Sequence, residues 1–185
     1  MKVVSFLGSR NPEGRTAAAT DAFLQGVINE GGQTEKVFLT EMQIERCHQC
    51  HDDGWGICRS EGQCKIEDDF APLVDRIVNA DAAVFATPVY FGDLSESMHA
   101  FLNRLRRICM HETGKEKISG KPAVGICVAG GGGGGAPVCA VSLENVLSRC
   151  GFDVVDMIPT RRQNLELKLN VLRTTGEWLS GYTPS

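Results

Sequence analysis

Four of the eight cysteines of this 185-residue chain lie in one polar segment, residues 47–64. They are Cys47, Cys50, Cys58 and Cys64, separated in chain order by two, seven and five residues. Thiolates are soft ligands, so four of them in one loop suit a [4Fe-4S] cluster or a tetrahedral zinc ion. His48 and His51 are alternative ligands in the zinc case, and a reduced loop without metal is the third interpretation. The spacing alone does not decide among the three.

A second candidate site is the polar loop between Gly8 and Thr16, which joins an apolar run to a helical pattern. A helix N-terminus carries about half a positive charge and unpaired N–H donors, so this loop is suited to bind a phosphate. The residues expected to anchor it are Ser9, Arg10, Asn11, Gly14, Arg15 and Thr16. The loop has neither the Gly-x-Gly-x-x-Gly nor the Walker pattern, which weakens dinucleotide and ATP interpretations. The alternative is an N-capped turn rich in Ser, Asn and Pro.

Two further loops have the composition to hold a flat ring. The first consists of Thr87, Pro88, Val89, Tyr90, Phe91 and Gly92, and its two aromatic side chains either pack on a ring or cap the core. The second begins with Ala129, Gly130, Gly131 and Gly132, within a run of six glycines. A glycine backbone can approach a ring edge closely and donate N–H groups to its heteroatoms, although flexible surface loops are also rich in glycine.

The elements that must position these loops alternate between strand and helix. Apolar runs predict strands at Lys2–Leu7, Lys36–Leu39, Ala82–Ala86, Ala123–Val128 and Asp153–Ile158. Helical spacing predicts helices at Thr16–Asn29, Asp68–Asn79, Ser95–Cys109, Pro137–Cys150 and Leu165–Leu179. This alternation predicts an α/β fold, a doubly wound parallel sheet with both faces covered. Ligands of such sheets bind at the carboxyl ends of the strands, so we expect the three loops and the cysteine segment to open on one edge.

The composition limits the classes of protein to which the chain can belong. The chain has 42% hydrophobic residues, 23% charged residues and a net charge of -4. This composition and the chain length predict one globular domain over residues 1–185, and the negative charge argues against a nucleic-acid partner. No segment has the length of a membrane span or a signal-peptide core, so we expect a cytoplasmic protein without a membrane partner. The remaining cysteines lie in apolar surroundings and are expected to be buried: Cys109, Cys127, Cys139 and Cys150.

Three features in this order resemble the NAD(P)H-dependent FMN reductase family of flavodoxin-like proteins. They are the Gly8–Thr16 loop, the stretch from Asp81 to Phe91 followed by Phe101-Leu102-Asn103-Arg104, and the glycine loop. The resemblance implies a three-layer sandwich with strand order 2-1-3-4-5 that binds FMN, its phosphate on the first loop and its ring between the other two. It also implies NAD(P)H as substrate, a small electron acceptor such as a quinone or a flavin, and a homodimer or homotetramer.

The cysteine segment resembles the iron-sulfur flavoprotein branch of that family, whose cysteine motif also precedes Asp-Asp and a helix. In that branch the third cysteine closely follows the second, whereas residues 51–57 separate them here. This resemblance implies an alternative function, an electron carrier that exchanges electrons with ferredoxin-like partners. A flavin-binding protein whose zinc-fixed loop serves assembly is a third hypothesis. Arg104, Arg106 and Arg107 are expected on a solvated helix face, or against the 2′-phosphate of NADPH or a partner subunit.

Overall fold

The computed structural model describes residues 1–183 and contains a five-stranded parallel sheet. The strands are β1 (Lys2–Leu7), β2 (Gln33–Phe38), β3 (Ala82–Pro88), β4 (Pro122–Ala129) and β5 (Asp153–Arg161). Their order across the sheet is β2-β1-β3-β4-β5, and each strand runs parallel to its neighbours. The structure therefore confirms the predicted fold class and strand order.

The helices include every long one that the sequence predicts. They are α1 (Arg15–Asn29), α2 (Ile57–Ser60), α3 (Phe70–Val78), α4 (Glu96–Ile108), α5 (Glu112–Glu116), α6 (Ala136–Cys150) and α7 (Leu165–Ser180). The short helices α2 and α5 were not predicted, because about one turn contains too few residues to show a helical period. The second strand ends one residue earlier than expected, since Leu39 begins a short 3-10 helix.

Two apolar cores cover the two faces of the sheet. On one face, side chains of α3, α4 and α6 pack on β1, β3 and β4, and Phe6 stacks on Phe85 at 5.6 Å between ring centroids. On the other face α1 and α7 pack on the same strands. These two helices approach closely at Gly26 and Gly176; a β-carbon on Gly26 would lie 2.0 Å from the carbonyl oxygen of Arg173.

Successive strands are added on opposite sides of β1, so the strand order changes direction between β1 and β3. From β1 the chain crosses to the edge strand β2 and then returns to β3, which pairs with the other side of β1. Such a switch point leaves a crevice at the carboxyl ends of the two strands, and this is where ligands of doubly wound sheets bind. None of the helices within residues 1–183 combines the length and the apolar composition that a membrane span requires.

Candidate functional site

Three loops predicted from the sequence meet at the carboxyl edge of the sheet. They are the phosphate loop (Gly8–Thr16), the aromatic loop (Thr87–Gly92) and the glycine loop, which begins at Ala129. They follow β1, β3 and β4, which are adjacent strands. A β-carbon on Gly130 would lie 3.6 Å from Nη1 of Arg15, so the glycine loop lies beside the phosphate loop. A β-carbon on Gly135 would lie 2.7 Å from Cα of Gly92, so the glycine loop also contacts the aromatic loop. The structure thus brings the three predicted loops into one site.

Hydrogen bonds between residues two positions apart fix the conformation of the phosphate loop. The Asn11 N–H donates to Oγ of Ser9 at 3.3 Å, and the Glu13 N–H donates to Oδ1 of Asn11 at 3.0 Å. Gly14 is the N-cap of α1 and makes no side-chain cap. Within residues 1–183, no hydrogen bond pairs the N–H groups of residues 15–17 in the first turn, and that turn contains no acidic side chain. The loop therefore leaves donors and helix dipole available to an anion.

The aromatic loop turns sharply away from the sheet. The N–H groups of Tyr90 and Asp93 each donate to the other residue's carbonyl oxygen, which closes a tight turn around Phe91 and Gly92. Both central residues have positive φ, 52° for Phe91 and 82° for Gly92. A bulky residue in this region is strained, and such strain is concentrated at functional sites. Tyr90 is 56% exposed and Phe91 is fully exposed, so the hypothesis that this pair caps the core is wrong.

The glycine loop is positioned by a residue that the sequence analysis missed. Nε2 of Gln163, just beyond β5, donates to the carbonyl oxygen of Gly132 at 3.0 Å. The backbone of Gly133 has φ 80° and lies so close to the Gln163 amide that a β-carbon would collide with it. By contrast, a β-carbon on Gly131 would meet no atom of the described residues within 4 Å. Gln163 follows a parallel strand at the edge where ligands bind, and this position alone could have made it a candidate site residue.

The start of α4 forms the floor of the crevice beside the phosphate loop. Ser95 caps this helix by accepting the Met98 N–H at 3.4 Å, and Oγ of Ser97 donates to the carbonyl oxygen of Gly8 at 3.3 Å. A depression of about 210 Å³ lies here, and Arg10, Thr40, Tyr90 and Glu96 also line it. Ser95, Ser97 and Thr40 were not among the predicted site residues, because isolated hydroxyl residues at element ends carry no distinctive pattern.

The four predicted cysteines line a single cavity on the outer side of α4. Cys47, Cys50, Cys58 and Cys64 share it with apolar side chains and with five polar or charged residues: Arg104, Arg107, His48, Gln63 and Lys65. Gln49, between the first two cysteines, has φ 49°, in the left-handed region that non-glycine residues rarely adopt. A β-carbon on Gly56 would lie 3.3 Å from Sγ of Cys50, so the glycine leaves room for that sulfur.

Within residues 1–183, no three His, Cys, Asp or Glu side chains lie close enough together to hold one metal ion. This arrangement does not fit a tetrahedral zinc ion, whose ligands surround a single atom. A cluster distributes its four cysteines over four irons, so it requires their sulfurs to surround a larger volume. The donor set, four soft thiols around one cavity that cationic side chains also line, therefore fits a cluster better than zinc.

The base of the cysteine segment is closed by a buried ion pair. Arg104 is 1% exposed, and it donates from Nη1 to Oδ2 of Asp68 at 2.5 Å and from Nη2 to Oδ1 at 2.9 Å. Nη1 also donates to the carbonyl oxygen of Glu45 at 3.2 Å, and Nη2 donates to Sγ of Cys64 at 3.3 Å. Residues on both sides of the segment are thus bound to one guanidinium.

Asp68 completes this closure. Burial alone would raise its pKa, but the hydrogen bonds from Arg104 and from the N–H groups of Glu45 and Phe70 hold the pKa below its ordinary value. The carboxylate is therefore charged at neutral pH. The expectation that Arg104 lies on a solvated helix face or meets a nucleotide phosphate is wrong, because the side chain is buried against Asp68.

The inserted residues 51–57 fold back onto α4. Trp55 lies between two arginines, with the guanidinium of Arg107 4.0 Å and that of Arg59 5.5 Å from its ring centroid. Arg107 also donates from Nη2 to the carbonyl oxygen of Gly54. The insertion therefore closes the outer side of the cavity and does not open it.

The cysteine cavity and the crevice lie at different positions along α4. Ser97 belongs to the crevice, whereas Arg104 and Arg107 line the cavity. At 1.5 Å per residue, the two sites are separated by roughly 10 to 15 Å along the helix axis. The expectation that the cysteine segment opens at the same edge as the ring loops is therefore wrong, because the segment runs along the helix away from that edge.

The other four cysteines are buried, as predicted, and they lie in two hydrogen-bonded pairs. The hydrogen bond with Cys139 and burial raise the pKa of the Cys127 thiol, and the hydrogen bond with Cys109 and burial do the same for Cys150. All four are at most 3% exposed. The thiols of Cys127 and Cys150 are therefore protonated at neutral pH, and all four side chains pack as small apolar groups.

Comparison with known proteins agrees with this architecture. The family model described as NADPH-dependent FMN reductase matches residues 1–160. The chain belongs to the NADPH-dependent FMN reductase family. Its relatives include an iron-sulfur flavoprotein from Methanocaldococcus jannaschii, 31% identical over 71% of this chain and 65% of the relative. Another, from Archaeoglobus fulgidus, is 32% identical over 67% of this chain and 54% of the relative. The chain thus spans between half and two thirds of these relatives.

Solved structures show the same fold. The NAD(P)H:quinone oxidoreductase from Methanothermobacter marburgensis superposes with a TM-score of 0.73 at 20% identity, covering 100% of this chain and 98% of that one. A structure of RosB with bound 8-demethyl-8-formylriboflavin-5'-phosphate has a TM-score of 0.73 at 20% identity, covering 98% of this chain and 79% of that one. A flavodoxin from the domain Archaea has a TM-score of 0.61 at 13% identity, covering 98% of this chain and 97% of that one. These similarities confirm the flavodoxin-like fold.

Proposed function

We propose that this protein is an FMN-dependent oxidoreductase that uses NAD(P)H to reduce a small acceptor such as a quinone or a flavin. The observation that carries the proposal is the convergence of the three loops around unpaired N–H donors at the start of α1. Bound FMN supplies the chemistry of accepting hydride and passing electrons onwards, and the protein supplies position and electrostatics. The family membership of the chain supports this assignment.

The phosphate of FMN is assigned to the first loop. Arg10 is exposed beside the crevice, and Arg15 extends towards the glycine loop, so both bring positive charge to the start of α1. Ser9 and Thr16 supply hydroxyl groups next to the free N–H groups of that turn. A charged phosphate accepts several short hydrogen bonds at such a terminus. Asn11 and Gly14 shape the turn that presents these donors.

The isoalloxazine ring is assigned to the space between the second and third loops. Tyr90 and Phe91 present exposed rings there, and the residues from Thr87 to Gly92 form that wall. Ala129, Gly130, Gly131 and Gly132 form the opposite wall. Because Gly131 and Gly132 are exposed and bear no side chain, the ring retains an open face for a nicotinamide or an acceptor.

Reduction of the bound flavin tests this function directly. NADH or NADPH should bleach the flavin absorbance without oxygen, and oxygen or a quinone should restore it. Gly131→Val should slow reduction, because the new side chain points into open space on that loop and leaves the fold intact. Gly134→Val is the matched control, on the same loop but outside the predicted ring wall. Failure of both nicotinamides to reduce the flavin would contradict the proposal.

The cysteine cavity supports a second candidate function, an iron-sulfur flavoprotein that exchanges electrons with ferredoxin-like partners. Cys47, Cys50, Cys58 and Cys64 would ligate a [4Fe-4S] cluster, which transfers single electrons when bound. Anaerobically reconstituted protein should contain about four irons per chain and lose them on Cys64→Ser, because a hydroxyl is a poor ligand for iron in such clusters. Reduction of the flavin by reduced ferredoxin but by neither nicotinamide would favour this carrier function.

The oligomeric state is part of the same proposal. A homodimer or homotetramer is expected for this family, and sedimentation of the FMN-bound protein tests it. A monomer at working concentration would contradict this part of the proposal without affecting the assignment of the flavin site.

A further inference from the structure

Two buried N–H donors on α4 have no acceptor in the protein. Arg104 and Arg107 both line the cavity that contains the four cysteines. The Nε atom of each is buried and makes no hydrogen bond to any of residues 1–183. Buried N–H groups are nearly always paired in native proteins. Two orphaned donors beside one cavity therefore indicate an acceptor that the chain itself does not supply.

The two guanidinium groups are fixed, so their Nε–H groups cannot turn to other partners. Arg104 is held by Asp68 through two parallel hydrogen bonds and lies 4.2 Å from the ring centroid of Phe70. Arg107 is held by the carbonyl oxygen of Gly54 and by stacking on Trp55. A planar guanidinium group held in this way has a fixed orientation, so its Nε–H also has a fixed direction.

The charge at the cavity favours an anion. Asp68 neutralises Arg104, whereas no carboxylate of the described residues forms an ion pair with Arg107. Besides the thiols and the apolar side chains, the cavity lining includes His48, Gln63 and Lys65. A cluster with four thiolates is an anion whose sulfur atoms accept hydrogen bonds, and such bonds are among the features that set its reduction potential. Its chemistry matches two unpaired N–H donors and the positive charges of Arg107 and Lys65.

We infer that Arg104 and Arg107 donate their Nε–H groups to the sulfurs of the cluster and raise its reduction potential. This inference rests on the proposed cluster. Reduction adds one electron to the cluster from an external reductant, with no bond formed or broken, so the reduced form is the more negative one. Nearby positive charge and N–H donors stabilise that form. Loss of either side chain should therefore make the potential more negative.

Arg107 gives the sharpest test, because it is less buried than Arg104 and leaves no carboxylate unpaired when replaced. Arg107→Lys keeps the charge but replaces the fixed Nε–H by a mobile ammonium group with three donors, whereas Arg107→Met removes the charge and the donors. Arg106→Met is the matched control: it lies on the same helix outside the cavity, and its Nε is already bonded to Asn103. Each protein is reconstituted anaerobically with iron and sulfide, its iron content is measured, and its potential is determined by a titration followed by electron paramagnetic resonance.

We expect the wild type and Arg106→Met to have the same potential, Arg107→Met the most negative one, and Arg107→Lys a value between them, because its ammonium group keeps the charge. Equal potentials in iron-loaded wild type and Arg107→Met would overturn the inference and leave the proposed cluster intact. A wild type that takes up no iron would overturn the cluster and the inference together. If Arg107→Met does not fold, Arg107→Leu decides, because it removes the same charge and the same Nε–H donor and must also make the potential more negative.

Arg104 is tested together with its carboxylate partner. Arg104→Met with Asp68→Leu removes both charges at once, which avoids leaving one of them buried and unpaired. In the loaded protein the potential should be more negative. An unchanged potential with full iron content would exclude Arg104 as a donor.

Discussion

Asp68→Asn should be among the most destabilising single polar substitutions in this protein. The change leaves the charge of Arg104 buried, 1% exposed, without its carboxylate. Breaking a buried ion pair from one side costs about 3–5 kcal/mol. In a domain of this size that lowers the melting temperature by roughly 6–20 °C. Urea unfolding at pH 7, followed by circular dichroism, measures the loss of unfolding free energy.

The matched control is Glu35→Gln. Glu35 pairs with Arg76 at 2.9 Å, but these side chains are 34% and 39% exposed. An exposed pair contributes about 0–1 kcal/mol, so this variant should unfold close to the wild type. If Asp68→Asn lost no more stability than Glu35→Gln, the argument that Arg104 and Asp68 close the cysteine segment would be refuted.

The same pair predicts a pH dependence. The pKa of Asp68 is lowered in the folded state, so its contribution to stability is complete above the unfolded-state value of about 3.9. That contribution is lost as the pH falls through the still lower folded-state pKa. The stability difference between the wild type and Asp68→Asn should therefore be constant from about pH 8 to pH 5 and should shrink below about pH 4. A difference that instead grew towards acid pH would contradict the assignment.

Three further substitutions test the crevice and the core. Phe91→Gly should weaken FMN binding without lowering stability, because it removes an exposed ring and relieves positive-φ strain; calorimetry and thermal unfolding measure the two effects. Gln163→Ala should raise the dissociation constant for FMN by roughly 2- to 10-fold, since the lost bond to Gly132 contributes about 0.5–1.5 kcal/mol to loop order. Gly26→Ala should lower unfolding free energy by about 1–3 kcal/mol, because the methyl group collides with Arg173 of α7.

The sequence was sufficient to predict the sheet because its strands are buried on both faces. Residues such as Val3, Val84 and Val124 belong to runs with few polar positions, and such runs followed by helices leave few possible topologies. The strand-end loops then placed most candidate FMN ligands, and the comparisons confirm the family that they resembled. Whether those residues bind FMN remains a prediction.

What could not be predicted depends on contacts between distant segments. Gln163 reaches the glycine loop from beyond β5, and no local pattern distinguishes it from other polar residues near a strand end. The burial of Arg104 could have been predicted from helical spacing. It lies three residues after Phe101 and four before Ile108, on the buried side of α4. Buried arginines are rare, and for this reason the sequence analysis expected Arg104 on a solvated face although the helical spacing put it on the buried side.

The central claim is that the three loops bind FMN through its phosphate. The most direct test is calorimetric titration of the flavin-free protein with FMN, riboflavin and FAD. Two charge-assisted hydrogen bonds at the start of α1 contribute at least about 3 kcal/mol, so FMN should bind roughly 100-fold tighter than riboflavin. FMN should also bind tighter than FAD, and Ser9→Ala with Thr16→Ala should remove most of its advantage over riboflavin. Riboflavin or FAD binding as tightly as FMN would contradict the assignment of the phosphate loop.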